Sequence, residues 1–240
     1  MIKRIILPCI AILSLVLLIA ACGGDDDNGD PTPISDNSAP TEVSDGNGDG
    51  DGDAVEFPTA AGPFSEGCQK SDEKQFPDGP ETIIDTSKTY VATITMASGG
   101  DIVVELFSDT PITTNNFVFL ACQGYYDGLT FHRVISGFMA QGGDPTGSGS
   151  GGPGYSIPDE DSAGHTMDTG VISMAKAGPN TTGSQFFITY SPRPGLEPDF
   201  TVFGRVISGM DVVEAITPRD PGDPTAPLGD AMETITIEER

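Results

Sequence analysis

The sequence predicts an all-β-dominated domain, a closed antiparallel barrel capped by two helices, and three observations predict it. From about residue 85 onward the apolar residues fall in short runs separated by Gly and Pro. Only two stretches carry helix punctuation, and the runs do not alternate with helices as βαβ units would.

Lys88 to Ala97 sets Tyr90, Ala92, Ile94 and Met96 at alternate positions, Ser98-Gly99-Gly100-Asp101 is a turn signal, and Ile102 to Phe107 completes a hairpin. Pro111, one residue past the candidate N-cap Thr110, opens a helix through Phe117, Leu120 and Ala121 that ends near Gly124. Short strands are expected over Thr130 to Ile135, Phe138 to Gln141, Val171 to Ala175, Gln185 to Thr189 and Phe200 to Val206. A second short helix is expected from Ser208 through Ile216, with Asp211 at the capping-box position, and Ala231 to Glu238 reads as the closing strand. Residues 85–240 are enough for one domain with a proper core.

The N-terminal part is different. Residues 1–21 begin with Lys3 and Arg4, run apolar to Ala21 and hold no acid, the layout of a secretory signal peptide. Ile19-Ala20-Ala21-Cys22 resembles the lipobox of bacterial lipoproteins, which implies cleavage before Cys22, lipidation there, and an extracytoplasmic protein anchored to the cell membrane or outer membrane. The competing reading is a plain transmembrane anchor. Residues 22–62 are Gly, Asp, Pro, Ser, Thr and Asn with few apolar side chains, which makes them a solvated acidic tether that cannot bury enough surface to fold. Within it, Asp45 to Glu56 matches the oxygen spacing of an EF-hand calcium loop; flanking helical periodicity is missing and Gly52 occupies the normally apolar position, so a spacer is the stronger reading. Residues 63–84 form an extension of intermediate character holding Cys68. In an oxidising compartment Cys68 and Cys122 could pair, a question that spacing leaves open.

The formal net charge is −25. Such a chain repels phosphates and has no Lys/Arg cluster to displace counterions, which excludes nucleic-acid binding, and attachment to an anionic membrane would need the lipid. Gly147, Gly149 and Gly152 satisfy G-x-G-x-x-G, but no helix follows and Pro153 interrupts, so the run reads as a loop. The two histidines, His132 and His165, lack metal-ligand spacing, and G-x-S-x-G is absent. No cofactor or metal is implied. His132 and Arg133 adjoin on an alternating run and should face opposite sides of a strand, with His132 buried.

The segment FHRVISGFMAQGGD from Phe131 to Asp144 sets one permanent cation, Arg133, beside the apolar Phe138 and Met139 and the amide of Gln141. Together with GVISMAKAGPNTTGSQFFIT from Gly170, FTVFGRV from Phe200 and NNFVFLACQGYYDGLTFHR, it resembles the cyclophilin family of peptidyl-prolyl cis-trans isomerases over about Lys88 to Glu238. The resemblance implies an eight-stranded antiparallel barrel with two helices. It implies Arg133 as the catalytic arginine, with Phe138 and Gln141 beside it in the catalytic set, and a proline pocket of Phe138, Met139, Phe187 and Leu196. It further implies substrate-backbone contacts from Gln141 and from the Ala175-Lys176-Ala177 edge, where the family usually has Asn at the position of Lys176.

Phe200 stands where eukaryotic members often have His and serves as a pocket wall, and Gly195 where they often have Trp; weak sensitivity to cyclosporin is therefore expected. The implied partners are proline-containing extracytoplasmic polypeptides whose folding is assisted, and a monomer is expected. A non-catalytic proline-peptide-binding or chaperone module on the same fold is the alternative.

Overall fold

The computed structural model describes Phe64 and residues 68–240, apart from residues 161, 163 and 224. The signal peptide, Cys22, the acidic tether and the Asp45–Glu56 run lie outside the described residues.

Eight strands form one antiparallel sheet: β1 (Tyr90–Met96), β2 (Asp101–Leu106), β3 (Arg133–Ile135), β4 (Met139–Gly142), β5 (Val171–Met174), β6 (Phe186–Thr189), β7 (Val202–Ser208) and β8 (Met232–Glu239). Their spatial order is β3-β4-β6-β5-β7-β2-β1-β8. The expected alternation is met in β1, where Tyr90, Ala92, Ile94 and Met96 are all buried.

The closed barrel is not formed. The sheet is an open half-barrel whose edge strands, β3 and β8, share no ladder. The physical reason lies at β3. The strand begins at Arg133 rather than Thr130, and its outer edge is taken by Arg219: the Val134 amide donates to the Arg219 carbonyl at 2.7 Å and the Arg219 amide returns the bond at 2.9 Å. The residues before β3 meet the chain around the start of β8 through Gly128 N–H to Met232 O (2.9 Å), Met232 N–H to Leu129 O (2.8 Å) and Phe131 N–H to Asp230 O (2.9 Å). That seam is irregular pairing, not a continuous ladder.

Helix α1 (Pro111–Cys122) has Pro at its first turn as expected, but Thr110 makes no capping bond through its side chain. The cap comes instead from Glu160, whose carboxylate accepts from the Ile112 amide at 3.0 Å and the Thr113 amide at 2.6 Å, a charged acceptor at the positive helix end. Glu160→Ala is expected to cost about 1 kcal/mol, read as a lower urea midpoint with an unchanged m value; an unchanged midpoint would show that solvent serves those amides equally well.

Helix α2 (Met210–Glu214) starts later than expected, capped by Gly209 in the left-handed conformation at φ 84° rather than by Ser208. A Cβ at Gly209 would lie 2.0 Å from the Asp101 carbonyl oxygen, so no other residue fits there.

All α1 residues from Thr113 to Cys122 are buried, polar ones included, because two layers cover the helix. One side packs on the sheet. The other lies under the extension: Asn115 accepts from the Ile83 amide at 2.9 Å and donates to the Glu81 carbonyl at 2.9 Å, while Phe76 meets Phe119 edge-on at 5.5 Å. Cys68 is disulfide-bonded to Cys122, with Cα atoms 4.3 Å apart, pinning the extension to the end of α1.

Candidate active site

Two apolar clusters organise the domain. The larger is the core between sheet and helices, built around Phe117, Tyr126, Phe131, Phe186 and Phe203. The smaller is separate and sits at the surface: Met139, Met167, Val171, Phe187 and Val202 are buried at its base, and Phe107, Phe138, Ala175, Leu196 and Phe200 are half-buried around it. A half-exposed apolar bowl of this kind is a binding surface in waiting, since core side chains have no reason to stop short of burial.

The register of four neighbouring strands places the polar groups beside the bowl. Arg133 on β3 pairs with Gln141 on β4, Gln141 with Phe187 on β6, and Phe187 with Ser173 on β5, so these residues lie in one row across the sheet. Arg133 sits over the Phe138 ring at 6.0 Å and donates to the Gln141 side-chain oxygen at a long 3.4 Å. Gln141 in turn donates to Gln185 Oε1 at 2.9 Å, and Gln185 donates to the Gly151 carbonyl at 2.9 Å. Although the chain holds 36 acidic residues, no carboxylate lies within ion-pair distance of Arg133 among the described residues. Its other donors point to a use outside the resting protein.

Of the sequence-predicted site residues, Phe138, Met139, Phe187, Leu196, Phe200 and Ala175 converge on the bowl, and Arg133 and Gln141 border it. Phe187 and Phe200 meet edge-on at 5.8 Å. Lys176 lies 5.7 Å from the Phe200 ring centre and is ion-paired to Asp159 at 2.7 Å, so its charge is already matched. Burial opposes ionisation of Asp159, yet the Lys176 hydrogen bond and those from Asn180 and Thr182 outweigh it and hold the carboxyl below its ordinary value. The Ala175 amide donates to the Gln185 carbonyl and the Ala177 amide to Thr181 Oγ1, so both are engaged within the domain. The space beside Gly195 is open, with nothing within 4 Å of where a Cβ would stand.

His132 is 1% exposed. Burial holds its imidazole below the ordinary value, which favours the neutral form.

Beyond the bowl, past Gln141, runs a cavity of about 560 Å³ walled by residues 149–153 on one side and by Ala175–Ala177 on the other. The glycine loop forming the first wall is held from beneath by Asp144, 1% exposed. Asp144 accepts from the Thr146 amide at 2.7 Å, the Thr146 hydroxyl at 2.8 Å and the Gly149 amide at 2.5 Å. Burial works against its negative charge, but the bonds from Thr146, Gly151 and Gly149 prevail and keep its pKa low.

The cyclophilin type peptidyl-prolyl cis-trans isomerase family model matches residues 91–238, which contain the entire bowl and both cavity walls. The chain belongs to the cyclophilin-type peptidyl-prolyl cis-trans isomerases. Among relatives, peptidyl-prolyl cis-trans isomerase B of Bacillus subtilis is 45% identical over 145 residues, 60% of this chain and 94% of that protein. Peptidyl-prolyl cis-trans isomerase-like 1 of Rhizopus delemar is 51% identical over 140 residues, covering 56% of this chain and 78% of that one. The crystal structure of a Cryptosporidium parvum cyclophilin-type isomerase superposes with a TM-score of 0.56 at 37% identity, covering 62% of this chain and 97% of that one. The same Cryptosporidium cyclophilin was also solved in the presence of the dipeptide Ala-Pro.

Sequence reasoning missed Phe107, Met167, Val171 and Val202 in the bowl and Gln185 beside Gln141. Gln185 had a signal, since it lies two residues before Phe187 and so on the same strand face. Met167, in the irregular stretch after His165, had none.

Proposed function

We propose that this cyclophilin accelerates rotation about X-Pro bonds in extended extracytoplasmic polypeptides, with the proline ring seated in the bowl of Phe138, Met139, Phe187, Leu196 and Phe200. The observation that carries the reading is the Arg133 guanidinium, which has no carboxylate partner among the described residues and stands at the rim of the bowl in so acidic a chain.

The chemistry follows from the amide. Resonance imposes a rotation barrier of about 18–20 kcal/mol. Twisting the bond localises the lone pair on the prolyl nitrogen, which becomes an acceptor only near the half-turned state. A hydrogen bond from Arg133 to that nitrogen therefore stabilises the transition state more than either planar isomer. No proton is transferred and no covalent bond forms or breaks. The bowl holds the ring while Gln141 and the Ala175–Ala177 carbonyls hold the flanking backbone, which confines rotation to one side of the bond. The dipeptide present with the Cryptosporidium relative supports a proline-containing ligand for this chain. Open space at Gly195, where an indole is often found, supports weak cyclosporin binding.

The location we propose is extracytoplasmic, with a lipid on Cys22 holding the protein to the membrane and the acidic tether spacing the domain from it. The Cys68–Cys122 disulfide supports an oxidising compartment. Cells grown with a clickable palmitate analogue are expected to label the wild type and not Cys22→Ser; equal labelling of both, or recovery of the wild type with cytosolic markers, contradicts the anchor.

A further inference from the structure

The glycine loop that walls the 560 Å³ cavity is held by more than Asp144. Residues 147–154 include Gly147, Gly149, Gly151, Gly152 and Gly154, and such a run loses more conformational freedom on ordering than any other composition. Asp144 reaches its first half, and Gln185 takes the Gly151 carbonyl. The next two carbonyls are held from the far side by the extension. Gln75 donates through its side chain to the Gly152 carbonyl at 2.9 Å, and the Phe76 amide donates to the Pro153 carbonyl at 2.7 Å.

The extension itself is firmly seated at this point. The Phe76 ring packs on Phe119 and Tyr125, Lys74 donates to the carbonyls of Gly124 and Tyr125, and the Ser71 amide donates to the Gln123 carbonyl at 3.0 Å. Lys70 pairs with Asp127 at 2.8 Å, and the Cys68–Cys122 disulfide closes the attachment. This strap lies wholly outside the family match, which begins at residue 91.

We propose that the strap Cys68–Pro80 is a specificity device added to the isomerase domain, and that Gln75 is its positioning residue, fixing the outer wall of the cavity and thereby which residues flanking the X-Pro bond are accepted. The proposal rests on the isomerase reading of the bowl. Gln75 touches no part of the bowl, so its influence reaches only peptides long enough to enter the cavity.

The test uses residues 54–240, which hold the whole extension and the domain; the described residues among them form one compact unit. Exchange NMR measures kcat and KM for a capped Ala-Pro dipeptide and for longer peptides that differ only in carrying Gly or Phe two positions from proline. In Gln75→Ala, which removes an exposed side chain, the dipeptide rate is expected to stay within about twofold, while the KM ratio between the Gly and Phe peptides shrinks at least fivefold with kcat unchanged. Gln75→Lys, which keeps a donor for the Gly152 carbonyl, is expected to restore the ratio. An unchanged KM ratio in Gln75→Ala overturns the proposal, as does failure of Gln75→Lys to restore it. Arg133→Ala in the same assay separates the two readings: full activity there removes the isomerase mechanism, whereas loss of activity there with an unchanged Gln75→Ala ratio removes only the strap's role.

Discussion

Replacing Arg133 with alanine is expected to lower kcat by about two to three orders of magnitude while leaving KM within a few-fold, because the lost bond exists only while the prolyl nitrogen is pyramidal. The ground state of a bound peptide has a planar amide, whose nitrogen offers no lone pair, so little binding energy is forfeited. Arg133→Lys tests geometry against charge. It retains the cation but not the planar fork that lies over Phe138 at 6.0 Å, and only partial recovery is expected. A protease-coupled proline-peptide assay reads all three proteins. If the alanine variant turns over at the wild-type rate, Arg133 has no part in rotation; if no protein accelerates exchange while peptides still bind, the domain is a proline-binding module.

Replacing Asp144 with alanine is expected to be the most damaging single change to the architecture of the site. One carboxylate gathers the Thr146 and Gly149 amides and the Thr146 hydroxyl beneath the glycine loop. Removing it forfeits three bonds to a charged acceptor, and because Thr146 and Gly149 are themselves exposed, water recovers part of the loss, leaving a cost of about 1–3 kcal/mol. The pH dependence has a definite sign. The folded carboxyl titrates below its ordinary value, so its stabilisation is complete above the unfolded-chain pKa of about 3.9 and fades as pH falls through the lower folded value. The melting-temperature gap between wild type and Asp144→Ala should thus be constant near neutrality and narrow in acid. A gap that stays constant down to about pH 2.5 would show that the charge is not what organises the loop. Activity on long peptides should fall along with stability, since the same loop walls the cavity.

Much of this was legible locally. Period-two alternation placed β1 and β2, and Pro111 marked the start of α1, because those signals need only neighbouring residues. The resemblance of separated blocks singled out residues that the structure places together around one bowl, and the row Arg133, Gln141, Phe187 follows from strand register. What escaped was long-range. The cap of α1 comes from Glu160, 48 residues away, and nothing near Thr110 announces it. The barrel's failure to close depends on Arg219 occupying the β3 edge, a pairing between segments with no shared periodicity. The burial of Asn115 in α1 makes sense only with the extension laid over the helix, a segment that reads in isolation as intermediate in character, while Asn116 is buried against Gly183 and Tyr155, far from it in sequence.

The open seam has one more consequence. An unfinished sheet normally offers rows of free amides and carbonyls that extended chains can join as an extra strand. Here those rows are interrupted: Arg219 occupies β3, the 128–131 segment meets the start of β8, and the Phe64 amide donates to Ile237 near its end at 3.0 Å. A protein whose proposed clients are extended polypeptides is thereby guarded against capturing them by sheet extension. Of the surfaces described, the bowl and not a sheet edge is then the one left open to the proposed clients, and the edges offer no ready template for aggregation.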